Sequence, residues 1–356
     1  MPYEIDFFPV GTKSSSGDAI SLRYGSNQSG YTIHIVDGGY SDTAPGIIDH
    51  IRNGYGSTKV SHVVLTHADG DHAAGLMQIM ETLEVGILWM NRPWLYAEEI
   101  IHHFHGNWTV HGLIRHLRDQ YPTLVELENL AIQKNVPIYE AFQGTQIGQF
   151  TILAPSRDRY LSLLPDFDKT PERKTTIDNA VPLLKAIIEA AQTVIRWVNE
   201  SWFRETLPAS PPPTSASNES SLVQMAVIEG DRLVLTGDVG PEGLKEAVNY
   251  AEYLYGHVPP QFFQIPHHGS RRNVTPSALD QWLGTSKLPG SNPIGTAFCS
   301  AAELDQDHPR KKVVNAFVRR GYEVHITNGR HIFYQRGMAR TGGPLTPEPF
   351  STQVEE

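Results

Sequence analysis

Apolar residues along the chain recur in two patterns that predict different elements. Short runs of β-branched and aromatic residues, bounded by glycine or polar residues, are typical of strands. Stretches in which apolar residues recur every three or four positions predict helices. The predicted strands are 3–10, 18–24, 31–36, 60–65, 87–90, 149–154, 222–229, 232–236, 261–265, 295–300, 322–327 and 331–335. The predicted helices cover 44–53, 75–83, most of 94–121, 178–198, 241–254, a short stretch from 275, and 308–321.

Two stretches interrupt this pattern and are predicted to be helical insertions. They lie near 91–148 and 157–220, and the second ends in a low-complexity run of proline, serine and threonine. We predict one domain over 1–336 that carries both insertions. Residues 337–356 are rich in glycine, proline and threonine, which predicts a flexible C-terminal tail.

Composition narrows the class of protein. The 356 residues carry a formal net charge of −10, and an acidic chain is a poor general coat for nucleic acid. Cys299 is the single cysteine, so neither an intramolecular disulfide nor a cysteine-based zinc cluster is possible. The sequence shows no signal peptide and no apolar run long enough to span a membrane. We therefore expect a cytoplasmic protein that does not bind membranes.

Candidate chemistry is densest directly after the strand predicted at 60–65. His67, Asp69, Asp71 and His72 fall within six residues there, with Gly70 among them. Imidazole and carboxylate groups at this density suit a divalent ion such as zinc or manganese. The alternative is a polar turn whose aspartate caps the next helix.

Other predicted strands also end in potential metal ligands. They end near Asp37, Asp238 and the pair His267–His268, and His308 follows a later strand. Convergence of such ends on one rim is the geometric sign of a site. Two ions about 3.5–4 Å apart need a bridging carboxylate with imidazoles and carboxylates on each side, and the chain has these groups without cysteine.

Several motifs, in this order, carry a resemblance to a known family. They are Gly17-Asp18-Ala19-Ile20, Asp37-Gly38-Gly39, the run from Thr66 to His72, the run from Asn218 to Val223, Leu235-Thr236-Gly237-Asp238, the run from Pro266 to Ser270, and His308-Pro309. With them the sequence resembles metallo-β-lactamase-fold hydrolases, and within these the hydrolase domain of the competence protein ComEC and its stand-alone relatives. The matches span roughly residues 5 to 335.

The resemblance implies a fold and a metal site. The fold is an α/β (αββα) sandwich, in which two mixed β-sheets lie face to face between layers of helices. The site is dinuclear and lies at the sheet edge. The implied metal ligands are His67, Asp69, Asp71, His72, Asp238, His267 and His268. Asp37 is expected to orient ligands from outside the coordination sphere, or else to be a plain turn residue.

The resemblance also divides these ligands between two ions. His67 and Asp69 are expected at one metal, and Asp71 with His72 at the other, together with one of the two histidines 267 and 268. Asp238 is expected to bridge the ions. For catalysis the implied residues are Asp71, His268 and His308, although a structural role at a helix start is as reasonable for His308.

Two departures from the family pattern affect the metal. Asp69 stands where a histidine is more usual, and Pro155-Ser156 stands where a histidine is expected after the mid-chain strand. The first metal position therefore has more oxygen and fewer imidazoles, which weakens zinc binding there. We expect one or two divalent ions per chain, zinc or manganese.

The leading functional hypothesis is a phosphodiesterase or nuclease that uses a metal-bound hydroxide. Its substrate would be nucleic acid or a nucleotide. One alternative is hydrolysis of another ester, a thioester or an amide, because the fold does not fix the substrate. Another is a non-catalytic, metal-binding partner module of a multi-protein system, which would contact a protein partner through 157–220.

Overall fold

Sixteen strands in three sheets make up the β-structure of the described residues. The computed structural model describes residues 1–11, 15–173, 196–340, 342 and 345–356. The strands in chain order are β1 (Tyr3–Phe7), β2 (Ala19–Ser26), β3 (Gly30–Gly38), β4 (Lys59–Val64), β5 (Glu84–Trp89), β6 (Ile138–Tyr139), β7 (Gln146–Ile147), β8 (Phe150–Ala154), β9 (Trp197–Asn199), β10 (Val223–Ile228), β11 (Asp231–Leu235), β12 (Phe262–Gln264), β13 (Gly295–Cys299), β14 (Tyr322–Ile326), β15 (Ile332–Arg336) and β16 (Gln353–Glu355).

Helices connect most of these strands. In the same part of the chain they are α1 (Ala44–Asp49), α2 (Gly70–Thr82), α3 (Ala97–Ile100), α4 (Val110–Gln120), α5 (Pro122–Gln133), α6 (Arg157–Leu163), α7 (Ala216–Glu219), α8 (Pro241–Tyr255), α9 (Pro276–Leu283) and α10 (Lys311–Arg319). Single 3₁₀ turns lie at Pro93–Tyr96, Ile101–His103, Leu164–Asp166 and His267–Gly269, and one π turn at His50–Gly54. None of the described helices is long and apolar enough to cross a bilayer.

Both large sheets are mixed. The first has the order β15-β1-β2-β3-β4-β5-β6 and the second β14-β13-β12-β11-β10-β8-β7. In the first, β3 to β6 run parallel, with Ile35 opposite Val63. In the second, β11 to β14 run parallel, with Phe263 opposite Ala297. Parallel strands place their carboxyl ends at one edge, and this is where the predicted ligands follow.

Alternation along the strands separates three apolar cores. Phe7, Phe262 and Phe298 meet between the sheets, with ring centroids 5.2–5.9 Å apart. On the outer face of the first sheet, β3 and β4 pack against α1, α2, α4 and α5. On the outer face of the second sheet, β12 and β13 pack against α8, α9 and α10. The structure thus confirms the predicted αββα sandwich.

The helix after the ligand-rich turn begins earlier than predicted. It starts at Gly70 rather than after Gly75, because Asp69 takes the extended conformation of a cap residue and Asp71 lies in the first turn. The helix then passes very close to the turn after β3. A Cβ on Gly75 would lie 2.0 Å from the Gly38 carbonyl oxygen, so glycine is required for this approach. The close packing brings His72 against the end of β3.

The C-terminal segment differs from the predicted flexible tail. Gln353–Glu355 form β16, which pairs with β9, and Val354 is fully buried. Glu355 accepts a hydrogen bond from the Lys311 backbone N–H at the start of α10 (2.9 Å). The Gly/Pro-rich composition of this segment predicts irregular backbone. It does not reveal the tertiary contacts that hold the last residues in a strand.

A buried ion pair lies beneath this small sheet. Glu200 directly follows β9, and its carboxylate pairs with the Arg319 guanidinium at the end of α10. Both side chains are almost fully buried, and Asn315 also donates to the Glu200 carboxylate (3.1 Å). Arg319 donates in addition to the Trp202 carbonyl oxygen (2.9 Å). The helix predicted over 178–198 lies outside the described residues except at its end, where Trp197 and Val198 belong to β9 instead.

A second cluster of buried charged groups lies on the outer face of β1. The Asp6 carboxylate contacts His331 Nε2 (2.7 Å), His50 Nε2 (3.2 Å) and the Tyr55 hydroxyl (2.6 Å), and it also pairs with Arg340. Two imidazoles and a carboxylate this close can hold a metal. Here Arg340 already neutralises the carboxylate, so the group is better explained as a hydrogen-bonded anchor between β1, α1 and β15.

We expect Asp6 to stabilise the fold in a pH-dependent way. Burial acts to raise its pKa, but hydrogen bonds from His331 and His50 and the charge of Arg340 outweigh burial, so the pKa lies well below the usual 3.8. A lowered pKa adds stability above about pH 4 that is lost as the pH falls further. Asp6→Asn should therefore lower the free energy of unfolding by about 1–3 kcal/mol at pH 7.

Urea unfolding of wild type and Asp6→Asn at several pH values measures this difference. The two proteins should converge in stability as the pH falls from 5 toward 2. A gap that stays constant over this range would contradict an ionised, anchoring Asp6.

Candidate metal centre

Asp37, at the end of β3, fixes the first part of the site. Its carboxylate accepts hydrogen bonds from the Thr66 backbone N–H (2.8 Å) and the Thr66 hydroxyl (2.7 Å). The same carboxylate lies 2.7 Å from His72 Nδ1. An imidazole that donates through Nδ1 has its Nε2 lone pair free for a metal, so Asp37 orients His72 for coordination.

His67 and Asp69 lie on the same rim. His67 Nδ1 is 3.0 Å from the Thr66 hydroxyl, and its Nε2 is 3.5 Å from Asp69 Oδ2. Asp69 is 41% exposed in its side chain and accepts a hydrogen bond from the Ser217 hydroxyl (3.0 Å). The rings of His67 and His72 lie 4.2 Å apart, so both imidazoles face the same space.

The second sheet contributes Asp238, shortly after the end of β11. Its side chain is buried, and Oδ2 lies 3.5 Å from His72 Nε2, 3.6 Å from His267 Nε2 and 3.8 Å from His268 Nε2. Asp238 therefore stands between ligands that come from opposite sheets. This is the position that a bridging carboxylate needs.

The turn after β12 presents two adjacent histidines in unusual backbone geometry. His267 and His268 have φ of 47° and 54°, in the left-handed region that non-glycine residues rarely adopt. His268 Nδ1 donates to the Ser300 carbonyl oxygen (3.2 Å), and its Nε2 is 3.8 Å from Asp71 Oδ2. His267 is more exposed, and its Nδ1 is held by the Asn273 amide oxygen (2.8 Å).

The donor set fits a metal by the atoms it leaves unsatisfied. His67 Nε2, His72 Nε2, His268 Nε2 and Asp238 Oδ1 are buried and have no hydrogen-bond partner. Buried polar atoms are nearly always satisfied, and four such atoms in one place fit the donor set that a metal ion needs. The groups of potential ligand atoms within 4.8 Å of one another are His67–His72–Asp238, Asp71–His72–His268, Asp18–Asp238–His268 and Asp18–Asp37–His72.

Electrostatics in this cluster show what an ion would replace. Burial lowers the pKa of His72, but the carboxylates of Asp238, Asp37 and Asp71 outweigh it and raise the pKa well above 6.5. Burial likewise opposes the charged form of His268, yet nearby carboxylates raise its pKa to about 9. Protons on these imidazoles balance the carboxylates. A divalent ion would supply the same positive charge and release those protons.

His308 lies at the rim of the cluster. Its ring stacks on His267 with centroids 5.9 Å apart, and its Nδ1 is 3.2 Å from Asp305 Oδ2. It belongs to none of the close ligand groups found among the described residues. The structure therefore places His308 beside the site, where it can face a bound substrate. Of the predicted ligands, the close groups contain His67, Asp71, His72, Asp238 and His268. Asp69 and His267 lie beside them, 3.5 Å from His67 Nε2 and 3.6 Å from Asp238 Oδ2, but belong to none of these groups.

Sequence reasoning missed Asp18 as a site residue. It is buried at the start of β2, accepts a hydrogen bond from Gln264 (2.8 Å), and lies within ligand distance of Asp238 and His268. The motif Gly17-Asp18-Ala19-Ile20 carries part of the family resemblance, but the sequence predicts no role for its carboxylate. At the position where a histidine is missing, the Ser156 hydroxyl instead caps α6 by accepting from the Arg159 N–H (3.3 Å).

The match to a family model identifies the family. Residues 28–285 match the model of the metallo-beta-lactamase superfamily. The chain is 26% identical over 168 residues to ComE operon protein 3 of Bacillus subtilis (strain 168), which covers 47% of this chain and only 20% of that protein. The chain thus spans about a fifth of the length of this relative.

Solved structures with a similar fold include a long form RNase Z from yeast. It is 11% identical, with 83% of this chain and 36% of that chain covered and a TM-score of 0.37. MEM-A1, a subclass B3 metallo-beta-lactamase from a soil metagenome library, is 11% identical, with 78% and 86% covered and a TM-score of 0.31. The family match spans most of the sandwich and includes the candidate ligands of both sheets, from His67 to His268. The chain belongs to the metallo-beta-lactamase superfamily.

Proposed function

We propose that the protein is a metal-dependent phosphodiesterase or nuclease, with nucleic acid or a nucleotide as substrate. Membership of a superfamily that is generally hydrolytic supports the reaction class. The similarity to part of ComE operon protein 3 supports placing the chain beside ComEC-like proteins, although that relative is far longer.

The observation that carries the proposal is the share of carboxylates in the site. Asp18, Asp71 and Asp238 each lie in a close ligand group, and Asp69 lies 3.5 Å from His67 where a further imidazole is usual. Oxygen ligands favour hard ions such as manganese over zinc, and such ions suit phosphate oxygens. A polar cavity of about 340 Å³, lined in part by Asp69, Asp71 and Ser217, opens beside these ligands.

Each residue then has a defined part. His67 and Asp69 would hold one divalent ion, and Asp71, His72 and His268 would hold a second, with Asp238 available to both. Bound divalent ions supply Lewis-acid chemistry, which stabilises phosphoryl charge and makes hydroxide available near neutral pH.

The remaining steps belong to the protein's own groups. Asp37 holds the His72 ring so that Nε2 faces the site. Asp305 holds His308 at the rim, where its imidazole can donate a proton to the leaving oxygen. His267 is held by Asn273 and is the second candidate for this role.

The test is a hydrolysis assay on the full chain, stripped with chelator and reloaded with manganese or zinc. We expect turnover of DNA, RNA or a cyclic dinucleotide that disappears with chelator and returns with metal. Turnover confined to a carboxylic ester, thioester or lactam would support the alternative hypothesis of a hydrolase that acts on one of these bonds. Retention of metal without turnover of any substrate would support a partner module.

A further inference from the structure

The cavity beside the metal centre has a wall that is partly formed by residues outside the family motifs. Its lining includes Asp69, Asp71 and Ser217, and also Tyr121, Asp168 and Lys169. Tyr121 lies between α4 and α5, and Lys169 follows the 3₁₀ turn Leu164–Asp166. The helical layer over the first sheet therefore contributes directly to the space in which a substrate must lie.

Lys169 is presented by an ordered turn. The Thr170 N–H and hydroxyl both donate to the Phe167 carbonyl oxygen (3.0 and 2.7 Å), which closes a four-residue turn with Lys169 at its third position. Phe167 is buried and packs edge-on against Tyr160, with centroids 6.0 Å apart. This anchor fixes the backbone of the turn, so that Lys169 stays at the wall of the cavity.

The chemistry of this wall suits an anion rather than a base. Lys169 Nζ lies over the Tyr121 ring, 5.1 Å from its centroid, and Tyr121 is 4% exposed. A ring covered in this way offers no open face for stacking. Among the described residues that line the cavity, Lys169 is the one cation. Of the three carboxylates in the lining, Asp69 and Asp71 are assigned to the metals, and the third is Asp168. A charge-assisted hydrogen bond to phosphate is the interaction that an ammonium group makes best.

We propose that Lys169 binds the phosphate next to the scissile one, so that the cavity takes a sugar-phosphate unit of a substrate with at least two phosphates. Lys169 lines the same cavity as the proposed ligands Asp69 and Asp71. The neighbouring sugar and phosphate of a phosphodiester held at those ligands would share this cavity with the ammonium group. This inference rests on the proposed function and narrows it to oligonucleotides and dinucleotides rather than isolated phosphate esters.

Binding of nucleotide probes tests the subsite without requiring turnover. Calorimetry on the manganese-loaded full chain would compare thymidine 3′,5′-bisphosphate with the two thymidine monophosphates. We expect the bisphosphate to bind about 10- to 100-fold more tightly than either monophosphate, the range expected for one charge-assisted contact. Lys169→Met should remove this preference, while Lys169→Arg should retain most of it.

Lys59→Met is the matched control, since Lys59 is an exposed lysine on β4 whose partner is Glu84. It should bind the bisphosphate and the two monophosphates like wild type. An unchanged preference in Lys169→Met, or no preference in wild type, would overturn the subsite. A parallel assay on a dinucleotide separates the two proposals. Turnover without a lysine-dependent preference refutes the subsite alone, and preference without any turnover refutes the phosphodiesterase alone.

Discussion

Replacing Asp238 by asparagine is expected to reduce hydrolysis by about a thousandfold, the upper end of the effect of removing one group that stabilises charge in an active site. Asparagine keeps the size of the side chain and removes its charge. The Asp238 carboxylate lies 3.5–3.8 Å from three imidazoles that come from both halves of the chain. Without its charge, ions on the two sides lose their shared ligand. Metal affinity should fall by more than the 10- to 100-fold typical of residues that only orient ligands.

Metal content by elemental analysis and turnover in the same preparation measure this result. Asp231→Asn is the matched control, because it makes the same change at the opposite end of β11, where Asp231 accepts from the Tyr3 hydroxyl (2.5 Å). The control should keep its metal and activity. Full metal content in Asp238→Asn, with activity near that of wild type, would contradict the assignment of Asp238 as a metal ligand.

Arg319→Met is expected to be the most destabilising of the changes considered, by about 3–5 kcal/mol, the usual cost of breaking a buried ion pair. The substitution leaves Glu200 buried without its counter-ion, although Asn315 still donates to it. The loss should first open the β9–β16 pairing. The C-terminal segment should then become sensitive to protease under conditions in which the wild type resists it.

The double variant Glu200→Leu with Arg319→Met separates a buried charge from lost packing. It should recover much of the stability lost in Arg319→Met, because well-packed apolar groups often replace a buried pair without cost. Urea unfolding gives both values. Lys59→Met removes an exposed pair and should change stability little. If the double variant is as unstable as Arg319→Met, then packing, rather than the charge of Glu200, explains the loss.

The strand positions and the candidate ligands could be predicted from local signals, whereas the αββα sandwich was implied by the family resemblance. Each ligand directly follows an apolar run, and parallel strands bring such ends to one edge regardless of the residues between them. Asp37 and Asp238 were predicted in this way, although they belong to different sheets. Their metal-binding roles stay predictions until an ion is measured.

The remaining features depend on contacts between distant parts of the chain. Lys169 is 100 residues from Asp69, and its turn is anchored by tertiary contacts such as the packing of Phe167 on Tyr160. The order of β16 depends on its pairing with β9, which a Gly/Pro-rich composition does not reveal. Asp18 lies within a recognised motif, but a carboxylate before a strand gives no indication of its role in the sequence alone. Its position beside Asp238 and His268 becomes visible only in the folded structure.

The left-handed backbone at His267 and His268 sets stability and activity against each other. A non-glycine residue in this conformation costs on the order of 1–2 kcal/mol, and two stand in succession. Selection for thermal stability alone would therefore favour glycine at either position and discard an imidazole of the centre. Laboratory evolution toward heat resistance should recover such glycines only when catalysis is left unscreened, and a heat-adapted relative would have to find its extra stability elsewhere.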